Sequence, residues 1–415
     1  MSIRNRFRDR LAAAANRALM KLYRLPLAAI YAGKAAAHAD KSAAQSMLVI
    51  RGDGGIGDFV LFLGSLAAIR RHYAGKRLTL LVGRESADLA VSFANVDEVI
   101  SFDVRRYRLD LAYRLRLIRK LRSKKFDIAI NPIYSREPLT DEILYCSGAK
   151  ESIAFDGNFD NIDAQTKAIN NSHFTRVIGS HTGQVSEIER NREFVSKLTG
   201  TDQPLEESLP RITLSRRQIQ QARDRLIEEG VDPELEPFIV LFPGASTDIK
   251  RWPSERFAAL ANKIVETYRV RIAICGGPAD ISAQEAVGSL APSVIRLAGK
   301  TDLVQLVAIL KHAVLYLGND TGPLHLAAAV GTPTLCILGG GHFGRFYPYG
   351  DPKVHRAVFH ELDCFHCNWV CPYSIAHCIH EITVKEVWQA VQQMLGEVQP
   401  AQVPNVYRAN VLGAR

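Results

Sequence analysis

From Ser46 onward the sequence alternates short β-branched runs with segments of helical spacing, breaks off, and then starts the same alternation again. The first block carries "MLVIR", "RLTLLV", "VDEVISF", "FDIAINPI" and "ESIAF" as strands. The second carries "PFIVLFPG", "RVRIAICGG", "VIRLAG", "VLYLGND" and "PTLCILGG". Strands separated by helices require crossover connections, and crossovers of one hand generate mostly parallel sheets. The reading is therefore α/β, with two doubly wound, Rossmann-like domains. A chain of 415 residues fits two cores better than one. Residues 1–45 form an N-terminal extension, 46–200 the first domain, 201–236 a Pro- and acid-rich connector, 237–398 the second domain and 399–415 a tail. Ligands of such folds bind at the carboxyl ends of strands, which predicts a central cleft that both domains face. The polar, glycine-marked stretch from Gly157 to Gly183 reads as a loop region facing a substrate.

The net charge of +9 is unevenly placed. Residues 1–45 hold nine Lys and Arg against only Asp9 and Asp40, so the rest of the chain is almost neutral. A nucleic-acid reader carries its positive charge on the folded domain, and this chain does not, so nucleic acid is excluded as a partner. Arginines mixed with Leu, Ala, Tyr and Met up to Ala39 fit a helix lying on an anionic membrane surface, or equally a helix docked on the protein. Uninterrupted apolar runs of about 18 residues, which a membrane-spanning helix needs, do not occur. Cys146, Cys275 and Cys336 are scattered in apolar text and read as buried small hydrophobes of a protein in a reducing compartment.

Three strand ends of the second block carry small residues. After "FIVLF" come Gly244, Ala245 and Ser246, followed by Lys250; after "RIAI" comes "CGGPAD" with Gly277; after "VLYLG" come Asp320, Thr321 and Gly322, with His325 one turn on. Small residues let backbone N–H groups approach an anion, a helix start adds its dipole, and Lys250 adds a point charge. Singly, each has a plain structural role as cap, surface charge or core histidine. Converging on one end of one sheet, they describe a pocket for a nucleotide diphosphate. In the first block, Gly52, Gly54 and Gly57 spell G-x-G-x-x-G before Asp58, which suits either an anion cradle or a platform for a reactive carboxylate.

"GNDTGPLHLAAAVGTPTLCILG", "FPGASTDIKRWPSERFAALA" and "GIGDFVLFLGSLAAI" together resemble glycosyltransferase family 9, whose best-known members are ADP-heptose:lipopolysaccharide heptosyltransferases. The resemblance runs from about Met47 to Leu395. It implies a GT-B fold, with acceptor held by the first domain and nucleotide-sugar by the second, and inverting transfer with no cofactor required for catalysis. It places the catalytic base at Asp58, the acceptor-side loop at Gly55 and Gly57, the phosphate-binding lysine at Lys250, and further donor contacts at Asp320, Thr321, Gly322 and His325. The implied partners are a nucleotide-diphosphate sugar, with ADP-heptose favoured, and a cell-envelope glycolipid; the anionic membrane is a partner read separately from the charge of the N-terminal segment. The implied location is the cytoplasm, peripheral on the inner membrane. Rival functions on the same fold are a nucleotide-sugar binding protein without transfer and a sugar-nucleotide epimerase. Two departures from the family pattern, an extra residue between Arg51 and Asp58 and Gly64 in place of a proline, point to a reshaped acceptor loop.

Cys364, Cys367, Cys371 and Cys378 form a C-x2-C-x3-C-x6-C cluster. Its thiols suit a structural metal, zinc or iron–sulfur, or a disulfide clip, and a structural role is expected rather than a catalytic one.

Overall fold

The computed structural model describes residues 44–52, 55–181, 183 and 185–397. The basic N-terminal segment up to residue 43 and the whole of the 399–415 tail lie outside the described residues. The chain divides into two compact units. The first comprises residues up to Gly183 and Ile188–Ser208; the second comprises Gln184–Glu187 and everything from Leu209. The first part of the 201–236 connector thus belongs to one unit and the remainder to the other.

The first unit holds β1 (Ser46–Arg51), β2 (Arg77–Gly83), β3 (Glu98–Phe102), β4 (Ile128–Asn131), β5 (Glu151–Phe155) and β6 (Arg176–Ile178). They pair all-parallel in the order β3-β2-β1-β4-β5-β6. Met47 to Ile50 are buried without alternation, as expected of a strand covered on both faces. Helix α1 (Ile56–His72) follows β1 and is buried from Phe59 to Leu66, so its sequence is apolar around its whole circumference rather than along one stripe. Helices α2 (Leu111–Ser123), α3 (Pro138–Cys146) and α4 (Ala164–Asn171) complete the part that matters here. The expected loop between Gly157 and Gly183 is corrected: it contains α4, N-capped by Asp163, and the edge strand β6. Only three residues long and half-exposed, β6 lacks the apolar run that marks the inner strands.

The second unit repeats the plan with β7 (Phe238–Phe242), β8 (Arg271–Ile274), β9 (Ile295–Arg296), β10 (Leu315–Asn319), β11 (Thr334–Ile337) and β12 (His355–Val358). The order is β12-β11-β10-β7-β8-β9, again all-parallel. Helices α5 (Ser254–Tyr268), α6 (Gly322–Ala329) and α7 (Val384–Glu397) pack on it. Its core gathers Ile239, Leu241, Phe257, Ile272, Leu317 and Val391 around Trp252, which is 1 % exposed. Both sheets reverse strand order beside their first strand, between β1 and β4 and between β7 and β10, and such switch points are where open α/β sheets leave a crevice for ligands.

Candidate functional site

At the second unit's switch point, the predicted donor residues come together. The ends of β7 and β10 are tied by Asn319, a residue that sequence reasoning passed over. Its buried Nδ2 donates to the carbonyls of Pro243 at 2.8 Å and Gly244 at 3.2 Å, while its Oδ1 accepts from the Trp252 amide at 3.1 Å. One side chain therefore sets the path of the loop carrying Gly244, Ala245 and Ser246 and the start of α5. Its signal was an asparagine at a strand end directly before the Asp-Thr-Gly. Gly244 is required sterically: a Cβ there would fall 2.0 Å from Oδ1 of Asp280. Asp280 is the second residue missed. Its Oδ2 accepts from the Gly277 amide at 2.9 Å, its Cβ also packs against Gly276, and burial raises its carboxyl above the usual range.

Lys250 lies on the short turn Asp248–Lys250, and its Nζ sits 3.3 Å from Oδ2 of Asp320. Both side chains are largely shielded, so the pair fixes the ammonium at the strand end more firmly than a surface contact does. Thr321 occupies the N-cap position of α6 but makes no side-chain cap bond, and Pro323 stands in the first turn. The capping role weighed for Asp320 and Thr321 thus does not account for them; Pro323 has no N–H and the Leu324 amide donates to the Thr321 carbonyl at 3.0 Å, so what this helix start offers an anion is the Gly322 amide and the dipole of α6. His325 is 3 % exposed, contacts the Tyr349 hydroxyl through Nδ1 at 3.1 Å and stacks on that ring. Burial pushes its imidazole down to about 4, against a partial opposing pull from Asp320. His325 is therefore neutral near pH 7.

Asp58 lies in the first unit, on the first turn of α1 after Gly55, an N-cap with no side chain to offer. Its carboxylate occupies the positive end of that helix. Behind it the buried Arg51 donates from Nη2 to the Asp58 carbonyl at 3.2 Å and lies over the Phe62 ring. The glycines of this loop differ in purpose. A Cβ on Gly52 would strike the Phe102 ring, whereas one on Gly55 meets nothing within 4 Å, so Gly55 leaves open space beside Asp58. Glu137, at the start of α3, pairs with Arg108 at 3.2 Å; burial raises its carboxyl, and the charge of Asp58 adds to that rise. Beneath it lies a buried polar network that the sequence did not announce: Arg136 pairs with Asp141 at 2.5 Å, and Asn131, Thr140 and Asn170 join them.

The four clustered cysteines are all free thiols lining one small cavity with Ile249, Phe365 and Trp369. Among the described residues no group of three or more His, Cys, Asp or Glu side chains is arranged to hold a metal ion. Cys146, Cys275 and Cys336 are buried as expected, and burial pushes the Cys275 thiol up to about 12. Among the described residues no helix is long and apolar enough to cross a membrane.

Residues 114–370 match the model of glycosyltransferase family 9 (heptosyltransferase). The chain belongs to glycosyltransferase family 9. It is 24% identical over 297 residues to lipopolysaccharide heptosyltransferase 3 of Escherichia coli, covering 68% of this chain and 80% of that one. With lipopolysaccharide heptosyltransferase 1 of Pseudomonas aeruginosa it shares 26% over 329 residues, or 77% of this chain and 85% of the other. Among solved structures it resembles a family 9 glycosyl transferase from Veillonella parvula, with a TM-score of 0.73, 19% identity, and coverage of 87% and 99%. E. coli ADP-heptose lps heptosyltransferase II superposes with a TM-score of 0.63 at 17% identity, covering 85% and 99%. The fold is thus GT-B, and the protein is a glycosyltransferase, which sets aside the rival readings as a binding protein or an epimerase.

Proposed function

We propose that this glycosyltransferase moves a heptose from ADP-heptose to a cell-envelope glycolipid of the lipopolysaccharide-core type, inverting the anomeric carbon. Donor and acceptor classes are suggested by the names of the relatives. The observation that carries the reading is the Lys250 ammonium, held by Asp320 beside an uncapped helix start, an arrangement suited to a diphosphate. In the proposed reaction a carboxylate oxygen of Asp58 takes the proton of the acceptor hydroxyl. The acceptor oxygen so released attacks the anomeric carbon, the bond from this carbon to the diphosphate oxygen breaks, and ADP leaves with the electron pair. Lys250 and the Gly322 amide at the start of α6 stabilise the charge that develops on the departing phosphate. Gly244, Ala245, Ser246 and Gly277 line the path of the nucleotide, and Gly55 and Gly57 leave room for the acceptor. The cysteine segment is assigned a structural part, and the basic N-terminal segment an attachment to the inner face of the membrane.

The test is transfer from ADP-heptose to a purified core acceptor by the wild type and by Asp58→Asn. The asparagine preserves size and removes the basic carboxylate, so turnover should fall by roughly 10²–10⁴-fold while donor binding barely moves. Near-normal turnover removes Asp58 from the chemistry. If UDP- or GDP-sugars raise the melting temperature more than ADP-heptose does, the donor assignment is wrong.

A further inference from the structure

The loop after β11, Gly339–Gly340–Gly341, is the floor on which the cysteine-rich segment sits. A Cβ on Gly339 or Gly341 would fall 2.6 or 2.4 Å from the Trp369 indole, and one on Gly340 would fall 2.2 Å from the Phe365 ring. Three glycines in succession thus admit two rings from a segment that also bonds to this floor. The His366 amide donates to the Gly340 carbonyl at 2.7 Å and the Asn368 amide to that of Gly341 at 3.0 Å. To make these contacts His366, Asn368 and Trp369 all take left-handed backbone, with φ of 64°, 50° and 58°. Non-glycine residues adopt that conformation at a cost and persist in it where surrounding structure over-determines them, often at ligand clamps. The result is an indole face 4.9 Å from Nζ of Lys250, whose other side meets Asp320. The indole N–H is buried and has no hydrogen-bond partner among the described residues, so the ring is not held there by hydrogen bonding.

From this geometry we propose that Trp369 is a positioning residue for Lys250, so that the cysteine-rich segment forms part of the donor site. A lysine ammonium is a compact charge on a flexible stem, and its three N–H bonds can point anywhere. Trp369 offers a π face and Asp320 a carboxylate, and together they hold the ammonium with an N–H directed at the diphosphate. Trp is the strongest of the aromatic partners for a cation. The four thiols line the same cavity as Phe365 and Trp369, which places the whole cysteine cluster against this turn. The inference rests on Lys250 as a donor residue.

The experiment places mono-, di- and trifluorinated tryptophan at position 369 alone, leaving Trp252 and Trp388 natural. Fluorine is nearly isosteric with hydrogen but drains the negative potential of the ring face. Affinity for ADP, measured by calorimetry on the full chain, should weaken stepwise by roughly two- to thirty-fold across the series, the equilibrium range that cation–π contacts span. The same series in a Lys250→Ala background should be flat, because the term read is the coupling of the two residues. A flat series in a protein that Lys250→Ala still weakens overturns the inference and leaves the donor assignment standing. A series that still slopes after Lys250→Ala also overturns it, since the indole would then touch the nucleotide itself. If Lys250→Ala changes nothing, the donor assignment fails with it.

Discussion

At the scale of single residues, the proposed donor side turns on one ammonium whose surroundings are built from distant parts of the chain. Asp320, at the end of β10, and Trp369, from the cysteine segment, both meet Lys250. Lys250→Ala should weaken nucleoside-diphosphate binding and slow departure of the leaving group, by roughly ten- to a few hundred-fold in affinity if one charge-assisted bond of about 1.5–3 kcal/mol is lost. Lys250→Arg should recover only part of this, because the wider planar fork would commit its N–H groups to the Asp320 carboxylate and place its charge differently from a compact ammonium. Calorimetry with ADP decides between these outcomes; an arginine variant as tight as wild type would show that charge alone matters. His325 sharpens the point by contrast. Lys250 was legible from the stretch before Trp252–Pro253, and Asp320 and His325 from the Asp-Thr-Gly-Pro-x-His motif, yet the sequence could not say that burial holds His325 neutral. Trp369 was visible only as a letter between cysteines, because its meaning depends on Lys250, which is far away in sequence.

At the scale of elements, the regular parts of both sheets were legible because buried parallel strands are written as continuous apolar runs, as in "SMLVIR" and "FIVLF". The strands that escaped notice, β6 and β12, are edge strands whose residues are mostly half-exposed, so their sequences carry no such run. Equally hidden was the polar network joining β4, α3 and α4, since nothing in the spacing of Arg136, Asp141 and Asn170 marks them as partners. Arg136 and Asp141 are both fully buried, and Asn170 donates to Asp141 at 2.9 Å. Removing one partner leaves an uncompensated buried charge. Asp141→Ala should therefore lower the unfolding free energy by about 3–5 kcal/mol. At the exposed pair Arg192–Asp202, Asp202→Ala should cost no more than about 1 kcal/mol. Urea denaturation of both variants measures the difference. Equal small losses would mean that α3 and α4 are anchored by their apolar contacts and that the network is incidental to stability.

At the scale of the whole molecule, the distribution of charge bears on where such an enzyme works. A glycolipid acceptor resides in a membrane, whereas from Ser46 onward the chain is close to neutral and, among the described residues, offers no helix able to cross a bilayer. Residues 1–45 concentrate nine basic side chains among Leu, Ala and Tyr, a composition suited to headgroups on one face and acyl chains on the other. Each basic residue near an anionic surface contributes about 1 kcal/mol, so a handful suffices for reversible attachment. The full chain should accordingly bind vesicles containing phosphatidylglycerol, release them as salt rises through the range where the screening length falls below about 10 Å, and ignore neutral vesicles. A chain beginning at Ser46 should keep its melting temperature, lose vesicle binding, and still transfer heptose to a soluble acceptor fragment. Transfer to acceptor embedded in vesicles should fall for that shorter chain, through a raised KM rather than a lowered kcat, because the loss is of local concentration and not of chemistry. If the shorter chain instead precipitates while the full chain ignores anionic vesicles at low salt, residues 1–45 serve as a docked structural element and membrane attachment must come from elsewhere.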